Sequence, residues 1–253
     1  MKIQWRTLIF FTPLLLLTGC NDDETVEVEV PVEVPVVVNP EHEMLTDPFL
    51  QLPTPSTVNV VWFTNFEGSE HELSFGSSST SEITTTKLNR MMEDTSSSLG
   101  DINYDALTYR DVYRHEATAT GLVQGERVDY FVTSTDEDGF EFKSNSFTLA
   151  PAPAEGQALK ILLTSDLQSK KNVVANYQKV VETVGVPDAV LFAGDFVNVP
   201  DRASEWFDQV KEDSPAFFPA LQGHYQAYVP GFPYNGGEIL QHAPLFGTIG
   251  NHE

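Results

Sequence analysis

The sequence predicts a β-sandwich followed by an α/β domain built on a parallel sheet. Three observations lead there. Between Met44 and Ala150, short β-branched and aromatic runs recur between turn residues, the rhythm of a sandwich. Ala150-Pro151-Ala152-Pro153-Ala154-Glu155-Gly156 then marks a boundary. Beyond it, three apolar runs each end in a short polar motif. Runs of this kind, bounded by turn residues, read as buried strands. An open α/β sheet gathers ligands where the carboxyl ends of its strands converge.

The chain opens with a targeting segment, residues 1–20. Lys2 and Arg6 precede an apolar stretch from Leu8 to Leu17, interrupted by Pro13 and too short to span a bilayer comfortably. It ends Leu17-Thr18-Gly19-Cys20, which looks like a bacterial lipobox. That signal implies lipidation at Cys20, a membrane partner, and a place in the bacterial cell envelope, periplasmic or at the cell surface. The alternative is a plain secretory signal with an incidental cysteine. Cys20 is the only cysteine, so no intramolecular disulfide forms. Residues 21–43 are rich in Val, Glu and Pro. Pro31 and Pro35 and the like-charged glutamates favour an extended tether over a strand.

In residues 44–150, Val58-Asn59-Val60-Val61-Trp62-Phe63, His115 to Thr120, Val128 to Ser134 and Ser146 to Leu149 read as strands. Asp136-Glu137-Asp138-Gly139 reads as a turn. Ser77 to Ser81 and Thr95 to Ser98 read as polar loops. The segment from Leu122 into the next strand resembles fibronectin-III-like domains. Such domains often carry a corner tyrosine six residues after the leucine; Val128 stands there and Tyr130 lies two further on.

Residues 151–157 form the linker, and 158–253 the second domain. Its first run, Leu159 to Leu163, leads into Thr164-Ser165-Asp166-Leu167-Gln168. The second, Ala189 to Phe192, leads into Ala193-Gly194-Asp195-Phe196-Val197-Asn198. The third, Leu245 to Ile249, leads into Gly250-Asn251-His252-Glu253. Between the first two, Val173, Val174, Tyr177, Val180, Val181 and Val184 recur at helical spacing and stop at Gly185, completing a βαβ unit. Arg202 to Val210 reads as a second helix, with Trp206 as core packing. Phe217 to Gly237, rich in Pro, Gly and aromatics, reads as a loop facing substrate or simply packed on the surface.

The order Asp-x-Gln, Gly-Asp-x-x, Gly-Asn-His-Glu resembles the calcineurin-like metallophosphoesterases. The nearest likeness is to bacterial lipoproteins of the purple-acid-phosphatase type, with a fibronectin-III-like domain in front. The resemblance implies a four-layer α-β-β-α sandwich, of which 158–253 would be the first half. It implies two divalent or trivalent metal ions, of manganese, iron or zinc, and a phosphoester substrate. Asp166 and Gln168 would serve one metal, Asp195 would bridge both, and Asn251 would serve the second. His252 would contact the phosphoryl group and protonate the leaving oxygen. Glu253 either supports this network or is a solvated residue. The family usually has His where Gln168 stands. At the position of Asn198 it has a tyrosinate or an aspartate, and the Asn198 side chain is expected to accept a hydrogen bond from His252.

The family also places further histidines after its Gly-Asn-His-Glu element. The chain is therefore expected to be a fragment without phosphatase activity of its own. His42, His71, His115, His224 and His242 precede that element and do not fit the later ligand positions. His224 and His242 are expected at the surface or in a substrate pocket.

With 14 Lys and Arg against 37 Asp and Glu, the formal charge is −23. That argues against binding along a nucleic-acid backbone or to an anionic membrane surface, which needs basic patches. It does not exclude a phosphatase, because metals supply local positive charge. Two rival readings stand beside the hydrolase. One is a surface binding lipoprotein with a degenerate phosphoesterase domain. The other is a membrane-tethered spacer.

Overall fold

The computed structural model describes residues 41–99, 102–208, 214–226, 231 and 233–253. Cys20, the targeting segment and most of the tether lie outside the described residues. Strands β1 (Phe49–Gln51), β2 (Thr57–Thr64), β3 (Glu70–Phe75), β4 (Ser78–Thr80) and β5 (Thr84–Lys87) come first. An arm follows, made of the short strands β6 (Met92–Glu93), β7 (Ser98–Leu99), β8 (Ile102–Asn103) and β9 (Thr108–Tyr109). Then come β10 (Tyr113–Thr120), β11 (Val128–Thr135), β12 (Glu141–Lys143) and β13 (Phe147–Leu149).

One antiparallel sheet runs β1-β2-β10-β5; a second runs β12-β11-β3-β4, with β13 also on β11. Alternation along β2 and β10 aims Val58, Val60, Trp62, Ala117 and Ala119 at Leu73, Phe75, Tyr130 and Val132 of the other sheet. β2 is apolar on both sides over its second half. Val61 and Phe63 face away from this core, into another one.

That other core belongs to the α/β part. β14 (Ile161–Thr164), α1 (Val173–Val184), β15 (Ala189–Phe192), α2 (Ala203–Phe207), α3 (Phe217–Gln222) and β16 (Leu245–Gly247) complete the chain. The strands form a parallel sheet, β14-β15-β16. α1 ends at Gly185, whose φ of 73° suits glycine and whose N–H bonds the Val181 carbonyl. Val174, Tyr177, Val190, Phe192, Phe207, Phe217, Phe218 and Leu221 share a core with Phe49, Val61, Phe63 and Val112 of the sandwich. Polar ties reinforce the junction. The Tyr130 hydroxyl lies 2.7 Å from the Gln241 carbonyl, and Arg127 donates to that of His242. Buried Glu93 accepts from the N–H and hydroxyl of Ser204.

Several expectations change. Ser78–Thr80 is a strand, because the polar run closes a hairpin onto β3. The second helix is shorter than expected, ending at Phe207. The segment opening at Phe217 starts with a buried helix rather than a loop. Pro219 falls in its first turn, where a missing N–H costs no helical bond. The three apolar strands are buried on one face only. Leu162, Val190 and Phe192 point inward, whereas Ile161, Leu163, Leu191 and Phe246 are exposed.

Candidate metal centre

The three motifs meet where the parallel strands end, and backbone hydrogen bonds lace them together. Ala193 N–H donates to the Thr164 carbonyl, Thr248 N–H to that of Phe192, and Asp166 N–H to that of Gly194. Gln168 N–H donates to the Phe196 carbonyl. Five described non-glycine residues have positive φ, and Asp166, Gln168, Ser169 and Asp195 are four of them. Each such residue costs on the order of 1–3 kcal/mol and persists only where its surroundings hold it. Gly194 and Gly250 are required by space. A Cβ on Gly194 would sit 2.6 Å from the Gly250 Cα, and one on Gly250 would sit 2.1 Å from Asp195 Oδ1.

Asp195 is the centre of the arrangement and is nearly buried. Its Oδ1 accepts the backbone N–H of Asn251 (2.9 Å) and of His252 (3.2 Å). Its Oδ2 receives the Gln168 side-chain amide at 3.1 Å. Glu253 answers in the opposite direction. Its carboxylate accepts the N–H of Asp195 (3.0 Å), Phe196 (2.8 Å) and Gly250 (2.8 Å). Burial pushes the Glu253 carboxyl up, but these backbone donors outweigh it and hold the group below its ordinary value. Of the two roles open to Glu253 from sequence, the supporting one is present.

Asp166 is exposed on its motif, with the Ser165 hydroxyl donating to it at 2.6 Å and Lys170 Nζ 3.9 Å away. Asn251, in the third motif, is also exposed. His252 Nδ1 lies 2.9 Å from the backbone carbonyl of Asn198, not from its side chain as expected. The Asn198 side chain instead donates to the Gln168 carbonyl at 3.0 Å. The backbone carbonyl is nearer to His252 because Asn198 turns its amide back toward the first motif.

Asp166, Gln168, Asp195 and Asn251 offer side-chain oxygens, a set suited to hard cations. Ser169 Oγ, directly after the first motif, is buried without a hydrogen-bond partner among the described residues, so polar capacity remains there. Both lone pairs of Asp195 Oδ1 are taken by backbone, which leaves Oδ2 to coordinate. The Gln168 amide now presents its NH₂ to Oδ2. Rotating that amide would present its oxygen instead, an orientation that the hydrogen-bond network alone assigns. On donor chemistry the residues fit a metal centre.

A different group satisfies metal-ligand proximity among histidine and carboxylate side chains. Ligand atoms of His42, Asp136 and Asp138 lie within 4.8 Å of one another at the β11–β12 turn. No sequence signal singled it out, because His42 precedes the sandwich and the two aspartates read as turn residues. Local bonding accounts for Asp136. One oxygen accepts the N–H of Asp138 and Phe140, and the other meets His42 Nδ1 at 2.8 Å. His242, expected at the surface or in a pocket, is largely buried and bonds to Thr148 and Glu238. His224 is half exposed, and the Asp47 carboxylate at 2.5 Å holds it above its ordinary value.

Among solved structures, a purple acid phosphatase from seeds of yellow lupin (Lupinus luteus) aligns with a TM-score of 0.56 at 15% identity. The alignment covers 81% of this chain and 35% of the lupin enzyme. The chain has a purple-acid-phosphatase-like fold. It spans about a third of the length of that neighbour. A family 123 glycoside hydrolase from Clostridium perfringens aligns with a TM-score of only 0.21 and carries no argument. No family model matches the sequence. No curated protein matches it either.

Proposed function

We propose that the chain belongs to a metal-dependent phosphoester hydrolase whose chemistry sits at the ends of β14, β15 and β16. The observation that carries this reading is the meeting of the motifs of Asp166, Asp195 and Asn251 at one end of the sheet, laced by backbone hydrogen bonds, with Asp166 and Asp195 at positive φ and Asp195 fixed by backbone donors. The likeness to the lupin enzyme supports it at the level of fold.

In this reading Asp166, Gln168, Asp195 and Asn251 would hold two divalent or trivalent cations of manganese, iron or zinc. Bound there, the pair would supply a nucleophilic oxygen at neutral pH and neutralise charge developing on the phosphoryl group. The protein's own residues do the rest. Glu253 fixes the backbone that aims Asp195. A carbonyl only accepts, so the contact with Asn198 makes His252 Nδ1 a donor. His252 Nε2 is then the atom left to face the phosphoryl group, and only the doubly protonated ring could donate from it to a phosphoryl oxygen or a leaving group.

The sandwich is read as a fibronectin-III-like module preceding the catalytic part. Lipidation at Cys20 and placement in the bacterial envelope rest on the Leu17-Thr18-Gly19-Cys20 pattern alone. A binding lipoprotein with a degenerate site is the second reading, and Gln168 in place of histidine favours it. Metal content separates the two. The longer protein to which the chain would belong is dialysed against manganese, zinc or iron(II), analysed for bound metal and assayed on a generic aryl phosphate. Bound metal with turnover supports the hydrolase; no retained metal and no turnover overturns it.

A further inference from the structure

We propose that Glu205 is a positioning residue for His252, set in place by the arm of the sandwich through Arg202; the inference rests on the hydrolase reading above. Glu205 stands in the first turn of α2 and is almost fully buried. One of its oxygens accepts the backbone N–H of Asn198 at 2.6 Å and of Val199 at 3.2 Å. These belong to the loop after Asp195. The other oxygen pairs with Arg202 Nη1 at 2.9 Å. Arg202 Nη2 in turn binds both oxygens of Asp94, at 2.8 and 3.0 Å, on the arm that begins with β6. The arm is also held to this segment by its backbone, since Met92 N–H donates to the Asp201 carbonyl at 2.9 Å.

Asn198 is where the chain of contacts turns toward the site. Its N–H is fixed by Glu205, its side-chain amide donates to the Gln168 carbonyl, and its own carbonyl receives His252 Nδ1. The Asn198 carbonyl shares its peptide plane with the Val199 N–H, which Glu205 also accepts, so that plane is held from its other side and the carbonyl has little freedom to rotate. That carbonyl dictates which ring nitrogen of His252 carries the proton in the neutral form and where Nε2 points. Where Asn198 lacks the carboxylate that the resemblance implies for orienting the histidine, its peptide group takes over the orienting role, and Glu205 keeps the peptide in place. The arm is then more than decoration of the sandwich, because Asp94 and Arg202 set the side-chain position of Glu205.

Histidine-ring ¹⁵N spectra of the full chain test this, with the His252 signals assigned by their loss in His252→Gln. In the wild type, at a pH where the ring is neutral, the proton should sit on Nδ1 and not on Nε2. Glu205→Ala should give a mixture of tautomers, with the two nitrogen shifts moving toward each other. Glu205→Gln, which keeps an oxygen for the Asn198 and Val199 N–H groups, should restore most of the wild-type pattern. Asp94→Ala, at the exposed end of the chain of contacts, should give a smaller shift in the same direction. It decides the question if Glu205→Ala fails to fold. An unchanged His252 tautomer in a folded Glu205→Ala, or in Asp94→Ala should that variant stand alone, overturns the proposal. Aryl phosphate turnover of the metal-loaded longer protein is measured in parallel, with kcat expected to fall about tenfold in Glu205→Ala at nearly constant KM. A tautomer shift in the chain, with a longer protein that never turns over, would leave this inference standing and remove the hydrolase reading.

Discussion

Asp195 and Glu253 each hold backbone N–H groups of the other's motif. The Glu253 carboxylate accepts the N–H of Asp195, while the Asp195 carboxylate accepts the N–H of Asn251 and His252, the two residues before Glu253. Each side chain thus fixes the backbone from which the other's neighbours project. The second and third motifs are fastened without any side-chain-to-side-chain bond between the two carboxylates, which leaves Asp195 Oδ2 facing the first motif.

Removing Glu253 should loosen this fastening. Glu253→Ala leaves three backbone donors without their acceptor, but water can reach the loop and replace part of what is lost. The expected cost is about 1–3 kcal/mol in urea unfolding, together with weaker manganese binding. Glu253→Gln keeps one carbonyl oxygen and should fall between. Equal stability and equal manganese affinity in Glu253→Ala and wild type would reject the reciprocal lock.

Asp195→Asn should retain the fold and lose the metal. The amide oxygen can still accept from Asn251 and His252, but it brings no negative charge to a cation. In the longer protein to which the chain would belong, metal content and hydrolysis should each fall by more than about 100-fold, beyond the loss usual for a residue that only supports a ligand. His252→Ala should separate the two readouts: turnover down about 10²–10⁴-fold, metal content nearly intact. Metal analysis beside aryl phosphate hydrolysis checks both, and full activity in Asp195→Asn would end the assigned mechanism.

How much of this could be read from the chain depends on the kind of contact. The strands ending at Thr164, Phe192 and Gly247 were legible because apolar runs and polar motifs announce themselves locally. α1 was legible from the period of its valines and its closing Gly185. The helix Phe217–Gln222 was not, since two phenylalanines and Pro219 read as loop chemistry until the surrounding core is known. The site residues were legible as types, but their hydrogen bonds were not. That Asn198 would use its carbonyl rather than its side chain, and that Glu205 would reach back to it, depends on where the loop turns. The junction core was hidden for the same reason: Val61 and Phe63 read as sandwich residues, and only the fold shows that they face α2 and α3.

Acid should weaken the sandwich before it affects most carboxylates. His115 is fully buried between Thr64 and Thr85, stacked on Trp62 and 4.0 Å from the ring of His71. Burial, with His71 adding to it, lowers its pKa from 6.5 to about 3. Burial also lowers His71, against the Glu67 carbonyl and the charge of Glu137. A histidine kept neutral by folding gives up stability as pH falls, because the unfolded chain takes the proton first. Its contribution is whole above pH 6.5 and drains down to the folded value. For His115 the loss between pH 6.5 and 5 should be about 2 kcal/mol. His224 has the opposite sign, since Asp47 raises it and its contribution is lost as pH rises. Glu116, lowered chiefly by Arg114, matters only below about 4.5. Urea midpoints followed by tryptophan fluorescence at pH 7.5 and 5 should therefore differ in wild type and converge in His115→Gln. A flat wild-type profile would sink this account.

The sandwich and the α/β part should unfold together. Phe63 stacks on Phe49 at 6.0 Å between ring centres and meets Phe207 at 5.2 Å and Phe218 at 5.6 Å. It therefore contributes to a core made by both parts, and the Pro/Ala segment between them does not insulate one from the other. Phe63→Ala should cost about 3–5 kcal/mol, the range for emptying a buried aromatic position. One cooperative transition should shift as a whole, since neither side can hold its half of the aromatic cluster alone. Calorimetry of the wild type and of Phe63→Ala decides it. Two separated transitions, with only one of them moved by the substitution, would show that the parts are thermodynamically independent despite their shared core.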